Sequence, residues 1–149
     1  MNQNLPGSPP AESTGRDSLV FALLGTAQAV EQRLEGVLAP LNLSLAKLGI
    51  LHHLAAADEP ISLSDLASHQ QCVRSNITQI IDRLEKEKLV RRRADPTDRR
   101  GVRAELTVAG RAAFRAGWSA LVAEQQRILQ ELGDGHAANL KGALELLRK

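Results

Sequence analysis

The run from Ile61 to Arg103, ISLSDLASHQQCVRSNITQIIDRLEKEKLVRRRADPTDRRGVR, constrains this chain more than any other part of it, because several local signals fall there in a fixed order. Ser62 and Asp65 have the S-x-x-[DE] spacing of a capping box, in which the serine oxygen takes the amide three residues on, so a short helix starts there and ends near His69. Gln70 and Gln71 then make a tight polar corner. A second helix over residues 73–87 repeats Ile77, Ile80, Ile81 and Leu84 every three to four positions and so buries one face. Its other face shows Arg74, Ser75, Asn76, Thr78, Gln79 and Arg83, side chains of the types that bond base edges and phosphates. Two β-capable runs, Leu89 to Arg93 and Val102 to Leu106, flank a turn-rich connection containing Asp95, Pro96, Asp98 and Gly101. Helix, corner, helix and hairpin make a winged helix-turn-helix. The second helix is placed to read a major groove, and the wing, residues 94–101, carries Arg99 and Arg100 suited to the negative potential of a minor groove.

The segment VRSNITQIIDRLEKEKLVRR, followed by DPTDRRGVRAELTVAGR, resembles the recognition helix and D-x-R wing signature of the MarR family of bacterial transcription regulators, closing on Leu106 and Thr107. Weaker similarity extends from Asp17 to the C-terminus. The resemblance makes Asp98 and Arg100 the D-x-R pair, with Asp98 bracing the loop and Arg100 entering the minor groove beside Arg99. Arg91, with Arg92, Arg93 and Arg103, is expected to hold phosphates. One departure stands out: Val73 precedes the helix where the family often has a small capping residue, and valine caps poorly, so the helix start is fixed only to within about a turn. The resemblance further implies a regulator of transcription, expected to be a repressor, that binds double-stranded DNA and is released from it on a signal: a small aromatic or phenolic ligand, an oxidant or a metal.

Composition and charge agree with that fold class, mainly α with a small β-wing. A chain of 149 residues, 43% hydrophobic, can build one domain with a real core, but it has two Phe, one Trp and no Tyr. Packing therefore falls to Leu, Ala, Val and Ile, which suits helix-on-helix contacts. The net charge is only +2. Its distribution is uneven: Arg74 to Arg111 holds eleven Lys and Arg against six Asp and Glu, which puts the positive charge on the reading unit. A single cysteine forms no intrachain disulfide, and the apolar run Leu19 to Leu24 is far shorter than the roughly twenty residues a bilayer span requires, so a cytoplasmic location is expected, with no membrane partner.

Residues 1–16, rich in Pro, Gly, Ser and Asn, read as a mobile tail, and residues 17–149 as a single domain. Within it, 41–107 is the winged helix-turn-helix lobe, and 17–40 with 108–149 the helical dimerisation lobe. Val20, Leu23, Leu24, Ala27, Val30, Leu34, Val37 and Leu38 trace a helical stripe that Pro40 stops. Ser44 caps a helix from Leu45 to Ala57 that turns Leu48, Leu51 and Leu54 inward, and Ile61 adds a short strand to the wing. Thr107 caps a helix from Val108 to about Leu132 carrying Phe114, Trp118, Leu121, Val122, Ile128 and Leu129, with Trp118 on its apolar stripe and read as core. Gly133, Asp134 and Gly135 break it, and a last helix from His136 to Arg148 carries Leu140, Leu144 and Leu147. These stripes exceed what the small central unit can cover, so an isologous homodimer is expected.

Other chemistries are weaker. Cys72 sits at the corner before the reading helix, where a helix N-terminus lowers a thiol pKa and oxidation would move the helix; a small buried packing residue is the plainer reading. His69 and Cys72, with His52 and His53, have no established metal spacing, and neither a metal nor a cofactor is expected. No nucleophile and base stand at a convincing spacing, which argues against an enzyme. A winged-helix module that binds proteins rather than specific DNA is the rival function, and it would place apolar or acidic groups where Asn76, Gln79, Arg99 and Arg100 stand. A cleft between the long helices and the reading unit, near Gln28, His52 and His53, is the default ligand pocket.

Overall fold

The computed structural model describes residues 14–57, 59–69, 74–98 and 101–148. In chain order these form α1 (Thr14–Leu38), a 3-10 turn (Ala39–Leu41), α2 (Leu45–Ala56), β1 (Ile61–Ser62), α3 (Leu63–His69), α4 (Arg74–Lys86), β2 (Val90–Ala94), β3 (Val102–Leu106), α5 (Val108–Leu132) and α6 (Asp134–Leu146). The fold is the expected one, mostly helical with a small antiparallel sheet in the order β1-β3-β2. Contacts divide the chain into two compact units, residues 1–33 and 34–149, with the boundary inside α1. In the first unit the helix leaves Leu19, Val20, Phe21 and Leu24 more than half exposed. Among the described residues no single helix is long and apolar enough to cross a membrane.

The second unit is built around α2. Ser44 adopts an extended backbone, and its Oγ accepts the Lys47 N–H at 3.2 Å, while Glu35 Oε1 accepts the Leu45 N–H at 3.1 Å; two otherwise orphaned amides of the first turn are thereby satisfied. Leu48, Ile50, Leu51 and Leu54 are all buried, so this helix is covered on more than one side, and it packs with Leu38, Leu66, Ile77, Ile81 and Leu84 into one core. Ser62 starts α3 as its spacing predicts: its Oγ accepts the Asp65 N–H at 3.1 Å. The return arm of the box closes on the serine hydroxyl, which donates to Asp65 Oδ2 at 2.7 Å. Ile61 pairs with Ala104, which gives the short extra strand expected of it.

The wing is in register from Val90 opposite Leu106 to Ala94 opposite Val102. Side chains alternate across it, and Val90, Ala104 and Leu106 face the core. At the far end of β3, Thr107 joins the wing to α5. Its Oγ1 accepts the Gly110 N–H at 2.9 Å and donates to Lys88 O at 2.7 Å, and its own N–H donates to Leu89 O at 3.1 Å. Gly110 packs so tightly that a Cβ there would stand 1.9 Å from Leu89 O.

Two expectations need correction. Trp118 is not core: it is 42% exposed, because the buried line of α5 runs through Gly110, Gly117 and Glu124, and Gly117, whose added Cβ would meet Leu43 Cδ1 at 2.6 Å, takes the inward position one residue earlier. The first helix does stop short of Pro40, at Leu38, and Pro40 takes its place in the 3-10 turn that follows, where a missing N–H breaks no intrahelical bond. The last helix runs from Asp134 to Leu146 rather than from His136 to Arg148, since the chain break is made by Gly133 alone, at φ 77°, and Asp134 is well placed in a first turn where the helix dipole favours an acid.

Candidate nucleic-acid interface

The interface is laid out by two periodicities, that of a helix and that of a strand. On α4, Ile77, Ile81 and Leu84 are essentially inaccessible, which turns Asn76, Thr78, Gln79 and Arg83 to the exposed side. Asn76, Gln79 and Arg83 follow one another along a single line of that face. Arg74 and Ser75 form the first turn of the same helix, and the expected span of 73–87 is close to the observed Arg74–Lys86. Cys72, Val73, Arg99 and Arg100 lie outside the described residues.

On β2, Arg91 and Arg93 project from the face away from the core, and their Nε groups both donate to Glu105 Oε1 on β3, where Arg91 is directly opposite Glu105. The two arginine side chains remain 59% and 53% exposed, against 21% for the acid between them. Each guanidinium has five N–H donors and spends one here, so most of its hydrogen-bonding capacity and its charge stay available to an anion. The paired arginines hold the Glu105 carboxyl below its ordinary range, Arg93 having the larger effect.

Asp95 braces the wing tip. Asp95 Oδ1 accepts the Thr97 N–H at 2.9 Å and the Thr97 hydroxyl at 2.7 Å, while Oδ2 accepts Arg103 Nε at 2.8 Å. The bond from Arg103, then those from Thr97, hold the Asp95 carboxyl far below the usual carboxylate range. The Asp98 backbone carbonyl accepts the Gly101 N–H at 2.9 Å. Gly101 is fixed by crowding, since a Cβ there would come 2.8 Å from Asp95 Cβ. The Asx-turn spacing of Asp95 and Thr97 was the available sign of this brace.

Arg92 and Arg103, expected on phosphates, are engaged inside the protein. Arg103 holds Asp95 and reaches Pro60 O at 3.4 Å. Arg92 lies opposite the buried Ala104, on the core face of the strand, and binds two acids of α4. Strand parity was the signal: Arg92 is two residues from buried Val90 and must share its face.

Away from this surface, His52 on α2 stacks on Trp118 of α5, ring centroids 4.9 Å apart and 7° from parallel, with Phe114 5.8 Å from each. His52 Nδ1 is buried and has no hydrogen-bond partner among the described residues. No group of three or more His, Cys, Asp or Glu among the described residues is arranged to hold a metal ion.

Comparison with known proteins points the same way. The MarR family model matches residues 43–102. Among solved structures, the chain is similar to AbsC, a MarR family transcriptional regulator from Streptomyces coelicolor, at 26% identity over 95% of this chain and 96% of that one, with a TM-score of 0.78. It shares its fold with the transcriptional repressor CouR bound to a 23-mer DNA duplex, at 24% identity over 95% of this chain and all of that one, TM-score 0.80. A mutant MarR from E. coli complexed with operator DNA matches at 24% identity over 87% of this chain and 93% of that one, TM-score 0.75. No curated protein matches.

Proposed function

We propose that this chain, whose residues 43–102 carry a MarR family winged-helix domain, is a dimeric, sequence-specific DNA-binding repressor of transcription, released from its operator by a small aromatic or phenolic molecule or by an oxidant. The observation that carries this reading is the exposed polar line Asn76, Gln79 and Arg83 of α4 together with a hairpin, packed against that helix, that presents Arg91 and Arg93. The helix of residues 73–87 enters a major groove, and the wing of residues 94–101, with Asp98, Arg99 and Arg100, follows the adjacent minor groove. CouR and MarR, of the same fold, have been seen on DNA, and CouR from Rhodococcus jostii RHA1 has also been seen bound to p-coumaroyl-CoA.

Dimerisation accounts for the leucines that α5 and α6 leave exposed, Leu129, Leu140, Leu144, Leu146 and Leu147. A two-fold axis sets two reading helices about 34 Å apart, so the operator is a pseudo-palindrome whose half-sites are roughly one helical turn apart. The effector is a flat molecule that lies against the exposed Trp118 ring, beside the His52 imidazole stacked on it. With chromosomal DNA as partner, the site of action is the cytoplasm. An interaction module that binds no specific DNA is disfavoured by the polar and basic character of the exposed face.

Selection of bound duplexes from a random pool at near-physiological salt, repeated with candidate phenolic ligands and with peroxide, tests the reading. Enrichment of one inverted-repeat sequence, lost on adding a ligand or oxidant, is the expected result. A pool that stays random rejects sequence-specific binding.

A further inference from the structure

Of the three consecutive arginines on β2, the middle one points away from the surface that Arg91 and Arg93 present. Arg92 is 27% exposed in its side chain, about half the exposure of its neighbours. Its Nη1 donates to Glu85 Oε2 at 2.6 Å, its Nη2 donates to Asp82, and its backbone N–H donates to Glu85 Oε1 at 3.3 Å. β2 is an outer strand, so that N–H has no strand partner on its open side and is taken instead by the reading helix. Asp82 and Glu85 are one turn apart on α4, and the planar guanidinium spans both. The result is a three-point clamp between helix and wing.

The two acids are otherwise hard to place. Their side chains are 46% and 39% exposed, on a helix whose neighbouring stripe is to meet a polyanion, and in that setting a carboxylate repels. We infer that Arg92, Asp82 and Glu85 are positioning residues that fix the angle between the reading helix and the wing, so that two carboxylates beside the DNA raise operator preference instead of weakening binding. This rests on the DNA-reading function proposed above. A major-groove helix and a minor-groove hairpin engage one site together only at one relative angle, and random duplex, held by phosphates alone, makes no such demand.

The clamp makes two predictions that ordinary electrostatics reverses. Removing the acids with Asp82→Asn and Glu85→Gln lowers affinity for the duplex that the wild type enriches, by about tenfold for the pair, which corresponds to about 1.4 kcal/mol. Affinity for a scrambled duplex stays level or rises, because negative charge has been removed. Arg92→Gln and Arg92→Lys both lose operator preference, since an ammonium cannot bridge two carboxylates, yet both keep the wild-type salt slope because Arg92 releases no counterion. Arg91→Gln, by contrast, reduces the slope by about 0.9. Equilibrium binding to the two duplexes across a salt series, with thermal melts to verify folding, reads all of this. A slope reduced by about one in Arg92→Gln, or operator affinity that rises in the double acid variant, overturns the clamp. Operator preference unchanged in every variant overturns it as well and leaves the repressor reading standing. A wild type that prefers no duplex removes that reading and the clamp with it.

Discussion

The segment from Leu43 to Leu106 and the C-terminal pair α5 and α6 use leucine in opposite ways. In the first, Leu48, Leu51, Leu66 and Leu84 are at most 2% exposed, and the apolar faces of α2, α3, α4 and the wing close on one another. In the second, Leu129, Leu140, Leu144 and Leu146 are 40% to 70% exposed. Burial of a leucine contributes about 1.5–3 kcal/mol, so the first region is held mainly by its own leucines and the second carries a surplus that the proposed dimer would remove from water. The proposed reading surface thus sits on the better-buried block, and the exposed leucines of α5 and α6 remain for the proposed dimer contact.

Leucine truncation breaks the comparison most directly. Leu51→Ala is expected to cost about 2–5 kcal/mol in chemical denaturation, from lost transfer energy and a residual cavity. Leu144→Ala is expected to cost under about 0.5 kcal/mol at a concentration where the chain is monomeric, and to weaken self-association in sedimentation instead. Equal losses in folding stability would show that the two regions are one core. Gly110 is the seam between them: the added methyl of Gly110→Ala meets a backbone carbonyl already bonded by Thr107, with an expected loss of about 3 kcal/mol and a lowered melting temperature.

A smaller effect separates reading from scaffolding. Asn76→Ala or Gln79→Ala is expected to relax sequence preference by about 1–3 kcal/mol with folding unchanged, measured as the ratio of operator to random affinity. An equal loss on both duplexes would move that residue from the base-reading group to the phosphate-holding group.

Much of this was legible from residue order, and what was not has a common cause. The extent of α5 follows from Thr107 and Gly133, two local signals that need no knowledge of the rest of the fold. The wing strands and the polar line of α4 follow from periods of two and 3.6. What period alone misjudges is relations between elements. Trp118 has the spacing of a core residue, but only the close approach of α2 at Gly117 decides which side of α5 is inward. Arg92 looks like its neighbours until the pairing with buried Ala104 assigns its face, and Asp95 is recognised as a brace only once Arg103 arrives from the opposite strand.

The smallest effect is a pH dependence confined to the wing. Asp95 and Glu105 have carboxyls held below their ordinary range in the folded state, so their contribution is fully present above the unfolded value near 4 and is lost as pH falls from there through the folded values. Asp95→Asn is therefore expected to flatten the acid limb of the stability profile slightly and leave neutral pH as the place where the difference from wild type is greatest. A difference that grows on acidification would reverse the sign of this account.

The central claim is that the paired helix and hairpin of two chains neutralise phosphates on one duplex, and a salt titration with the selected operator tests it. With six to ten phosphates engaged by two chains per duplex, affinity is predicted to fall by about 10³ to 10⁵ between 50 and 200 mM salt. An affinity nearly independent of salt, or one chain bound per duplex, would contradict it.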